Sequence, residues 1–395
     1  MNAVCGAGDK AGFKQKELMN LNNPSGNSAA CETSAVKEKS VLPEKKKKSK
    51  KKIILTIAFV IMNVIVVGYT AIVEFTKERP AGKVGINFGI INIICLICAF
   101  LCLGVVLGVE TVKYLLMMRS LGEKVSLRHA FQVSALGKYY DSITPTGAGG
   151  QPFQIWYMHS NGYSSGASAA IPLSGFLTMQ FGFIFLAAVV FIFNNAAVPP
   201  SAFKISAYVG ILFYLIMPVM IVLFALFPKA ISRFIMFFVR VGARLHFIKK
   251  PFITGRKIMR SLGEYSSSIV AITRDRLLLV KLLGLSVIYH IALCSIPFFV
   301  IRTFGGSISY INALSVCVFI YSATTYIPTP GNSGAAEGAF YGMFSSIGTS
   351  GIFWAMLVWR LVCYYSFLVI GLLIYTYNAF IGRRIKKAEG IKDGE

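Results

Sequence analysis

Long apolar runs divide most of the chain into segments of the length of membrane-spanning helices. They lie at about 53–73, 86–109, 168–193, 202–227, 277–300, 308–327 and 352–377. An α-helix needs roughly 20 apolar residues to cross about 30 Å of hydrocarbon, and most of the runs reach that length. The pattern predicts an all-α integral membrane protein, folded as a polytopic helical bundle.

Two stretches between these runs have a different character. The segments 126–165 and 328–349 are moderately apolar but are interrupted by Pro and Gly. Neither is a good membrane span, because Pro removes a backbone donor and ends the preceding helix. Backbone without helical hydrogen bonds is tolerated at membrane depth only where protein buries it or where it lines a wet cavity. Both stretches therefore predict special structure inside the bundle.

Basic residues orient the predicted spans. The chain has 40 Lys and Arg against 16 Asp and Glu, a net charge of +24 that in a soluble protein would indicate a nucleic-acid partner. Four segments hold 33 of the 40 basic residues, namely 1–52, 110–138, 228–276 and 383–395. Lys and Arg in short loops stay on the cytoplasmic side of a membrane. The distribution therefore predicts that both termini are cytoplasmic, and it explains the charge without nucleic acid.

This orientation forces two reversals of the chain within the membrane. Both spans that flank 126–165 have their near ends in the cytoplasm, so this segment must enter from the cytoplasm and return to it. The directions of 277–300 and 352–377 likewise make 308–349 enter from outside and return outside. Two oppositely oriented re-entrant hairpins are typical of inverted-repeat transporters with a site at mid-membrane. In the alternative, 308–327 is a full span and the basic C-terminus lies outside.

The same pattern predicts the domain organisation. Residues 1–52 form a disordered, basic cytoplasmic tail, and its cluster Lys45–Lys52 is expected to contact an anionic lipid surface. Residues 53–380 form the polytopic transmembrane domain. Within it, 228–276 is expected to form amphipathic helices in the cytoplasm or at the membrane interface, with Arg toward the headgroups. Residues 381–395 form a cytoplasmic tail.

Both broken segments carry Thr-Pro, then Gly-rich backbone, then the start of a new helix. A helix N-terminus offers free N–H groups and a positive dipole end, which favour a phosphate or a carboxylate. Two such ends that face each other would form a site for an anionic headgroup, although kinks that serve only helix packing are the alternative. The predicted substrate-binding residues are Asp141, Thr144, Pro145, Thr146, Gly147, Gly149, Gly150 and Gln151 in the first segment, and Thr329, Pro330, Gly331, Ser333, Gly334 and Glu337 in the second.

Four charged residues are predicted to lie inside the membrane: Asp141, Lys281, Glu337 and Arg360. A buried charge without a partner is costly, so such residues mark a binding site or an ion pair. The Arg360 guanidinium suits bidentate phosphate binding, and Tyr364 beside it completes the predicted site. The alternative for Arg360 is an internal ion pair with Glu337 or Asp141. Lys281 is expected to reach the interface, while Asp141 and Glu337 have local capping as their alternative role.

Catalytic and metal chemistry lack a signal in the sequence. Cys95, Cys98 and Cys102 share one helix face without a His or carboxylate nearby, a pattern more typical of packing than of a metal site. The four His residues form no HExxH spacing, and neither a Walker A motif nor a GxSxG elbow is present. We therefore predict no catalytic residue, no metal and no cofactor.

The motifs ITPTGAGGQPFQIWYM from Ile143, IPTPGNSGAAEGAF from Ile327 and WRLVCYY from Trp359 resemble a known family. It is the transmembrane region of lysylphosphatidylglycerol synthases, a flippase-like domain that also occurs alone, and the resemblance covers about residues 50–385. It implies an inverted-repeat bundle in a bacterial plasma membrane that moves aminoacylated anionic phospholipid, such as lysylphosphatidylglycerol, between leaflets. Such activity supports resistance to cationic antimicrobial peptides.

Two other functions stay open at this stage. Full-length synthases carry a soluble C-terminal domain that uses aminoacyl-tRNA, whereas this chain ends at Glu395, so lysyl transfer by it alone is not expected. If it is an enzyme, the resemblance implies a phosphatidylglycerol lysyltransferase with Lys-tRNA as a partner. Otherwise the expected partners are membrane phospholipid and a separate synthase, with no nucleic acid. The other alternative is a secondary transporter of a small anionic solute.

Overall fold

The computed structural model describes a helical protein. The described residues are 89–144, 147, 149–194, 201–227, 275–325, 327–329, 331–345 and 351–388, with isolated positions between 236 and 274. The predicted basic tail, the predicted span 53–73 and nearly all of the predicted interfacial helices in 228–276 lie outside the described residues.

Ten α-helices and one π-helical turn make up the regular structure of the described residues. The helices are α1 (Ile90–Ser120), α2 (Leu127–Ile143), α3 (Gly150–Ser160), α4 (Ser165–Phe193), α5 (Ser201–Leu226), α6 (Arg276–Thr303), α7 (Tyr310–Thr324), α8 (Ala335–Ser345), α9 (Ile352–Arg360) and α10 (Ser366–Ala388). The π-turn, Leu361–Tyr365, joins α9 to α10 without a break. The described residues contain no β-strand.

Four helical stretches among the described residues are long and apolar enough to cross a membrane. They are α1, α4, α6 and the continuous stretch Ile352–Asn378 that runs from α9 into α10. At 1.5 Å per residue, even the 27 residues of this last stretch extend over about 40 Å, more than the hydrocarbon thickness. The protein is therefore an all-α, multi-pass integral membrane protein, as the apolar runs predict.

The outer surface of α1 supports a membrane location. Its first turns expose large apolar side chains, with Ile90 75% and Leu101 62% exposed. A contiguous apolar surface of this kind is unfavourable in water and is the ordinary surface of a helix in lipid. The opposite side of α1 packs along α6, which also contacts α4, α7 and α9.

Small residues allow these helices to approach closely. Gly182 of α4 lies against Ser286 of α6, where an added Cβ would lie 2.6 Å from the Ser286 Cβ. Membrane helices pack through such small residues because van der Waals contact, and not a hydrophobic driving force, holds them together. This contact fixes Ser286 in the interior, beside the cavity described below.

Each of the two predicted hairpins, 126–165 and 308–349, contains two helices that pack on each other. α2 and α3 have 17 and 11 residues, and α7 and α8 have 15 and 11. Each is shorter than the roughly 20 residues that a spanning helix needs. The break between the helices therefore falls at the Pro-Gly motif in both cases. The side of the membrane from which each pair enters stays a prediction.

The first described helix extends well beyond its predicted end. The apolar run ends at 109, but α1 continues to Ser120. Glu110 and Lys113 are therefore part of this helix and are 7% and 1% exposed, respectively. The prediction that Lys113 follows the helix in a loop was wrong, because a run of good helix-forming residues continues the helix past the charged positions. The side of the membrane on which this end lies stays a prediction.

Candidate functional site

A cavity of about 320 Å³ lies where the two broken segments meet. Its wall combines backbone and side chains from both motifs with charged groups from the long helices. Its lining residues include Glu110, Lys113, Lys138, Asp141, Ser142, Gly331, Asn332, Arg360 and Tyr364. The fold therefore brings together two motifs that lie almost two hundred residues apart in the chain.

The first motif folds back on itself. Asp141, in the last turn of α2, accepts a hydrogen bond from the Gly150 N–H at 2.8 Å, and Thr144 Oγ1 accepts one from the Gly149 N–H at 2.9 Å. An added Cβ at Gly150 would overlap the Asp141 carboxylate. The glycine thus permits the close approach by which an acidic side chain caps the N-terminus of α3.

This capping changes the expected role of the first motif. The N–H groups of Gly149 and Gly150 were predicted to bind an anionic ligand, but they already donate to side chains of the same segment. Asp141 therefore makes the local capping contact that was its alternative role, and its part in substrate binding stays a prediction. Its carboxylate still lines the cavity.

An ion pair organises the second motif. Arg360 Nε lies 2.7 Å from Glu337 Oε1, and Arg360 Nη2 donates to Glu337 Oε2 at 2.7 Å. The guanidinium also donates to the carbonyls of Gly331 at 3.2 Å and Asn332 at 3.4 Å. Glu337 in turn accepts from the Gly334 N–H at 2.6 Å. The predicted alternative for Arg360, an internal ion pair with Glu337, is what the structure shows.

The turn that this ion pair supports has an unusual backbone. Gly331 and Asn332 have φ values of 58° and 54°, in the left-handed region. Asn is the non-glycine residue that tolerates this region best, together with Asp. The Arg360 guanidinium donates to the carbonyls of both left-handed residues, and the Asn332 carbonyl also accepts the Ala336 N–H at 3.0 Å. The cation thus helps to satisfy the backbone of a turn that leads directly into α8.

Tyr364 joins the two motifs. Its hydroxyl donates to the carbonyl of Ser142 at 3.3 Å, at the end of α2. An added Cβ at Gly331 would overlap the Tyr364 ring, so this ring lies directly against the second motif. Tyr364 belongs to the π-turn, a distortion that is frequent at functional sites because it re-aims side chains.

The family assignment follows from comparison with known proteins. Residues 54–371 match the family described as "Lysylphosphatidylglycerol synthase TM region". The chain belongs to this family. A relative named "UPF0104 membrane protein", from the archaeon Archaeoglobus fulgidus, is 22% identical over 280 residues, which cover 69% of this chain and 82% of that protein.

In this family member, the cavity also contains charges that the sequence analysis missed. Glu110 of α1 lies 3.6 Å from the Nζ atom of Lys138, and Lys138 lies over the Tyr289 ring at 5.1 Å from its centroid. Lys113 is 1% exposed, yet it was counted with a loop. The spacing of three residues from Glu110 to Lys113 and from Lys138 to Asp141 could have indicated one helix face in each case.

Lys113 has an uncommon set of partners. Its Nζ atom donates to Ser286 Oγ at 2.6 Å and to the carbonyl of Gly175 at 3.3 Å. Ser286 gives its own proton to the Leu282 carbonyl at 2.7 Å, so its oxygen is free to accept from the lysine. Both partners of the ammonium are therefore neutral, and within the described part of the chain no carboxylate lies within 4 Å of it.

The structure divides the predicted site residues into three groups. Those that line the cavity are Asp141, Gly147, Gln151, Gly331, Arg360 and Tyr364. The second group does not line the cavity but shapes the two turns, and its members are Thr144, Gly149, Gly150, Thr329, Ser333, Gly334 and Glu337. Within it, Thr329 Oγ1 donates to the Ser333 carbonyl at 3.0 Å. Pro145, Thr146 and Pro330 lie outside the described residues. Lys281, also predicted to lie inside the membrane, is exposed on α6.

Proposed function

We propose that this protein is a lipid flippase-like protein, which moves anionic phospholipid, aminoacylated forms included, between the leaflets of the membrane. The observation that carries the proposal is a charged cavity inside a bundle of apolar helices, with walls from both broken segments. A polar cavity is costly inside a membrane protein unless a polar molecule uses it.

The size of the cavity fits part of a lipid. Its volume of about 320 Å³ is at the lower end of the range of small-ligand pockets, roughly 300–1,000 Å³. A phosphate-containing headgroup fits into such a space, whereas two acyl chains do not. The tails therefore stay in the surrounding hydrocarbon while the headgroup crosses through the protein.

The two broken segments supply the moving parts of the proposal. In transporters with inverted repeats, one structural half rocks against the other around a fixed central site. Here one contact between the first broken segment and the rest of the cavity wall is the hydrogen bond from the Tyr364 hydroxyl to the Ser142 carbonyl, which is long at 3.3 Å. We expect this contact to break and re-form as the cavity opens to one side of the membrane and then to the other.

The cellular setting belongs to the same proposal. The proposal places the protein in the plasma membrane, and the basic segments favour an orientation with both termini in the cytoplasm. The cluster Lys45–Lys52 would then lie against the anionic lipids of the inner leaflet. Export of aminoacylated lipid made by a separate synthase would reduce the negative charge of the outer surface and thereby weaken the binding of cationic peptides.

Reconstitution tests the proposed function. The purified protein is placed in liposomes that contain a trace of fluorescent phosphatidylglycerol, phosphatidylcholine or lysylphosphatidylglycerol, and a membrane-impermeant quencher reports the outer leaflet. We expect the protein to make inner-leaflet phosphatidylglycerol accessible faster than in protein-free liposomes. Accessibility that is unchanged for all three lipids would refute the proposal.

Two further assays separate the rival functions. Uptake of radiolabelled phosphate into the same vesicles, without lipid movement, would identify a carrier of small anions. Transfer of label from lysyl-tRNA to phosphatidylglycerol by the purified chain would identify a lysyltransferase. Either result in the absence of lipid movement would contradict the flippase proposal.

A further inference from the structure

One carboxylate in the cavity wall has an oxygen without a hydrogen-bond partner. Glu110 of α1 lines the cavity and is 7% exposed. Its Oε2 atom is buried and accepts no hydrogen bond from the described residues. A carboxylate oxygen that has lost its contact with water normally accepts hydrogen bonds from the protein, because leaving it unpaired is costly. The unused oxygen therefore indicates that Glu110 accepts from a group that enters the cavity.

The neighbouring cation does not fill this position. Lys138 Nζ lies 3.6 Å from Glu110 Oε2, which is beyond hydrogen-bond distance and well beyond the roughly 2.7–2.9 Å of a close ammonium–carboxylate contact. The same ammonium lies 5.1 Å from the centroid of the Tyr289 ring, where cation–π attraction holds it. Lys138 thus balances part of the charge of Glu110 but leaves the hydrogen-bonding position at Oε2 open.

A second carboxylate faces the same cavity. Asp141 accepts the neutral Gly150 N–H at 2.8 Å, and no cation of the described residues lies within 4 Å of its carboxylate. Arg360 is not available to either acid, because its guanidinium pairs with Glu337 through two contacts of 2.7 Å. Two carboxylates of the described cavity wall, those of Glu110 and Asp141, are therefore available to a cationic ligand group.

Resting on the proposed function and making it more specific, we infer that Glu110 binds a primary ammonium group of the transported headgroup, with Asp141 as a second acceptor. A primary ammonium carries three N–H donors, so that it can donate to both carboxylates at once. It also supplies a positive charge, and a charge-assisted hydrogen bond is about twice as strong as one between neutral groups. A water molecule at Oε2 would supply the donor without the charge.

The open oxygen selects headgroups by their N–H donors. Phosphatidylethanolamine and phosphatidylcholine carry the same charges, but the quaternary nitrogen of phosphatidylcholine has no N–H to donate. Phosphatidylglycerol has no ammonium, whereas lysylphosphatidylglycerol has two. A site built to hydrogen-bond a ligand group discriminates against the analogue that lacks it, because its own polar atom is then left unpaired. The site therefore prefers phosphatidylethanolamine to phosphatidylcholine, and lysylphosphatidylglycerol to phosphatidylglycerol.

A binding experiment with matched variants tests the inference. The full chain in detergent is titrated with each of these four lipids, and the rise of the apparent Tm reports binding. Glu110→Gln is compared with Glu123→Gln, the same change at an acid that does not line the cavity and accepts the Ser164 N–H at 3.3 Å. We expect Glu110→Gln to lose roughly tenfold in affinity for the two lipids with a primary ammonium, as for a lost hydrogen bond between charged groups, and little for the other two. Glu123→Gln should behave as the wild type.

Two results with the lipids would overturn the inference. One is equal binding of phosphatidylethanolamine and phosphatidylcholine by the wild type, and the other is a preference that Glu110→Gln retains in full. If that variant does not fold, Asp141→Asn takes its place, because it keeps an acceptor for the Gly150 N–H while it removes the charge. A full preference in Asp141→Asn would then overturn the inference.

A control with free ethanolamine and free lysine separates a lipid headgroup from a soluble amine. Both molecules carry the primary ammonium without acyl chains. Stabilisation by either of them, but by none of the lipids, would overturn the inference, because the ligand would then be a free amine. Stabilisation by the two ammonium lipids at far lower concentrations than by the free amines supports it.

The transport assay distinguishes this failure from failure of the proposed function. Binding of ammonium lipids that depends on Glu110, without movement of any lipid, leaves the ammonium site standing and refutes the flippase. Movement of every lipid at equal rates in the wild type and in Glu110→Gln leaves the flippase standing and refutes the ammonium site.

Discussion

Removing Glu337 should destabilise the protein more than removing its partner Arg360. The Arg360 side chain is 9% exposed, whereas the Glu337 side chain is 18% exposed, lies in the first turn of α8 and also accepts from the Gly334 N–H. Glu337→Ala leaves a buried cation without an opposite charge, which costs about 3–5 kcal/mol. Arg360→Met leaves an anion at a helix N-terminus with one hydrogen bond, and we expect a cost of about 1–3 kcal/mol.

Thermal unfolding of the purified variants in detergent measures this order. At roughly 2 °C per kcal/mol for a chain of this size, Glu337→Ala should lower the apparent Tm by about 6–10 °C. The double variant, which combines Glu337→Ala with Arg360→Met, should be more stable than Glu337→Ala alone. The second substitution removes the cation that the first leaves without an opposite charge. Glu337→Gln keeps an acceptor of the same shape and should fall between the wild type and Glu337→Ala.

Two results would refute this reasoning. If Arg360→Met lowers the apparent Tm more than Glu337→Ala, the cation is not the costly member of the pair. If the double variant shows the sum of the two single effects, the two residues are energetically independent, in contradiction to the 2.7 Å contacts between them.

The remaining predictions concern the two turns and the contact between them. Gly331→Ala places a Cβ against the Tyr364 ring at a left-handed φ and should cost about 1–3 kcal/mol in unfolding experiments, whereas Gly338→Ala, with open space in helix α8, should be neutral or stabilising; equal effects would contradict the packing. Tyr364→Phe removes the hydrogen bond to Ser142 and should lower stability by about 0.5–1.5 kcal/mol, while Tyr365→Phe, whose hydroxyl has no hydrogen-bond partner among the described residues, should not.

The spans and both breaks follow from the sequence. The apolar runs predict α4, α5 and α6 nearly to the residue, because a helix in lipid needs a continuous apolar stretch of fixed minimum length. The Thr-Pro-Gly motifs predict the breaks after α2 and after α7, since Pro and Gly in close succession remove helical hydrogen bonds and stiffness together. A single Pro is tolerated, as Pro172 in α4, Pro218 in α5 and Pro297 in α6 show. Arg360 also stands out, because a charge in an apolar run is expensive in every fold.

The partners of these residues were decided by the tertiary structure. Arg360 pairs with a residue 23 positions away, Lys113 donates to one 173 positions away, and Tyr364 donates to one 222 positions away. The physical reason is that a membrane helix is apolar on its lipid side and on its protein side alike, so its pattern does not show which face is buried. The sequence therefore determines where helices lie and where they break, whereas only packing decides that Glu110, Lys113 and Arg360 line one cavity.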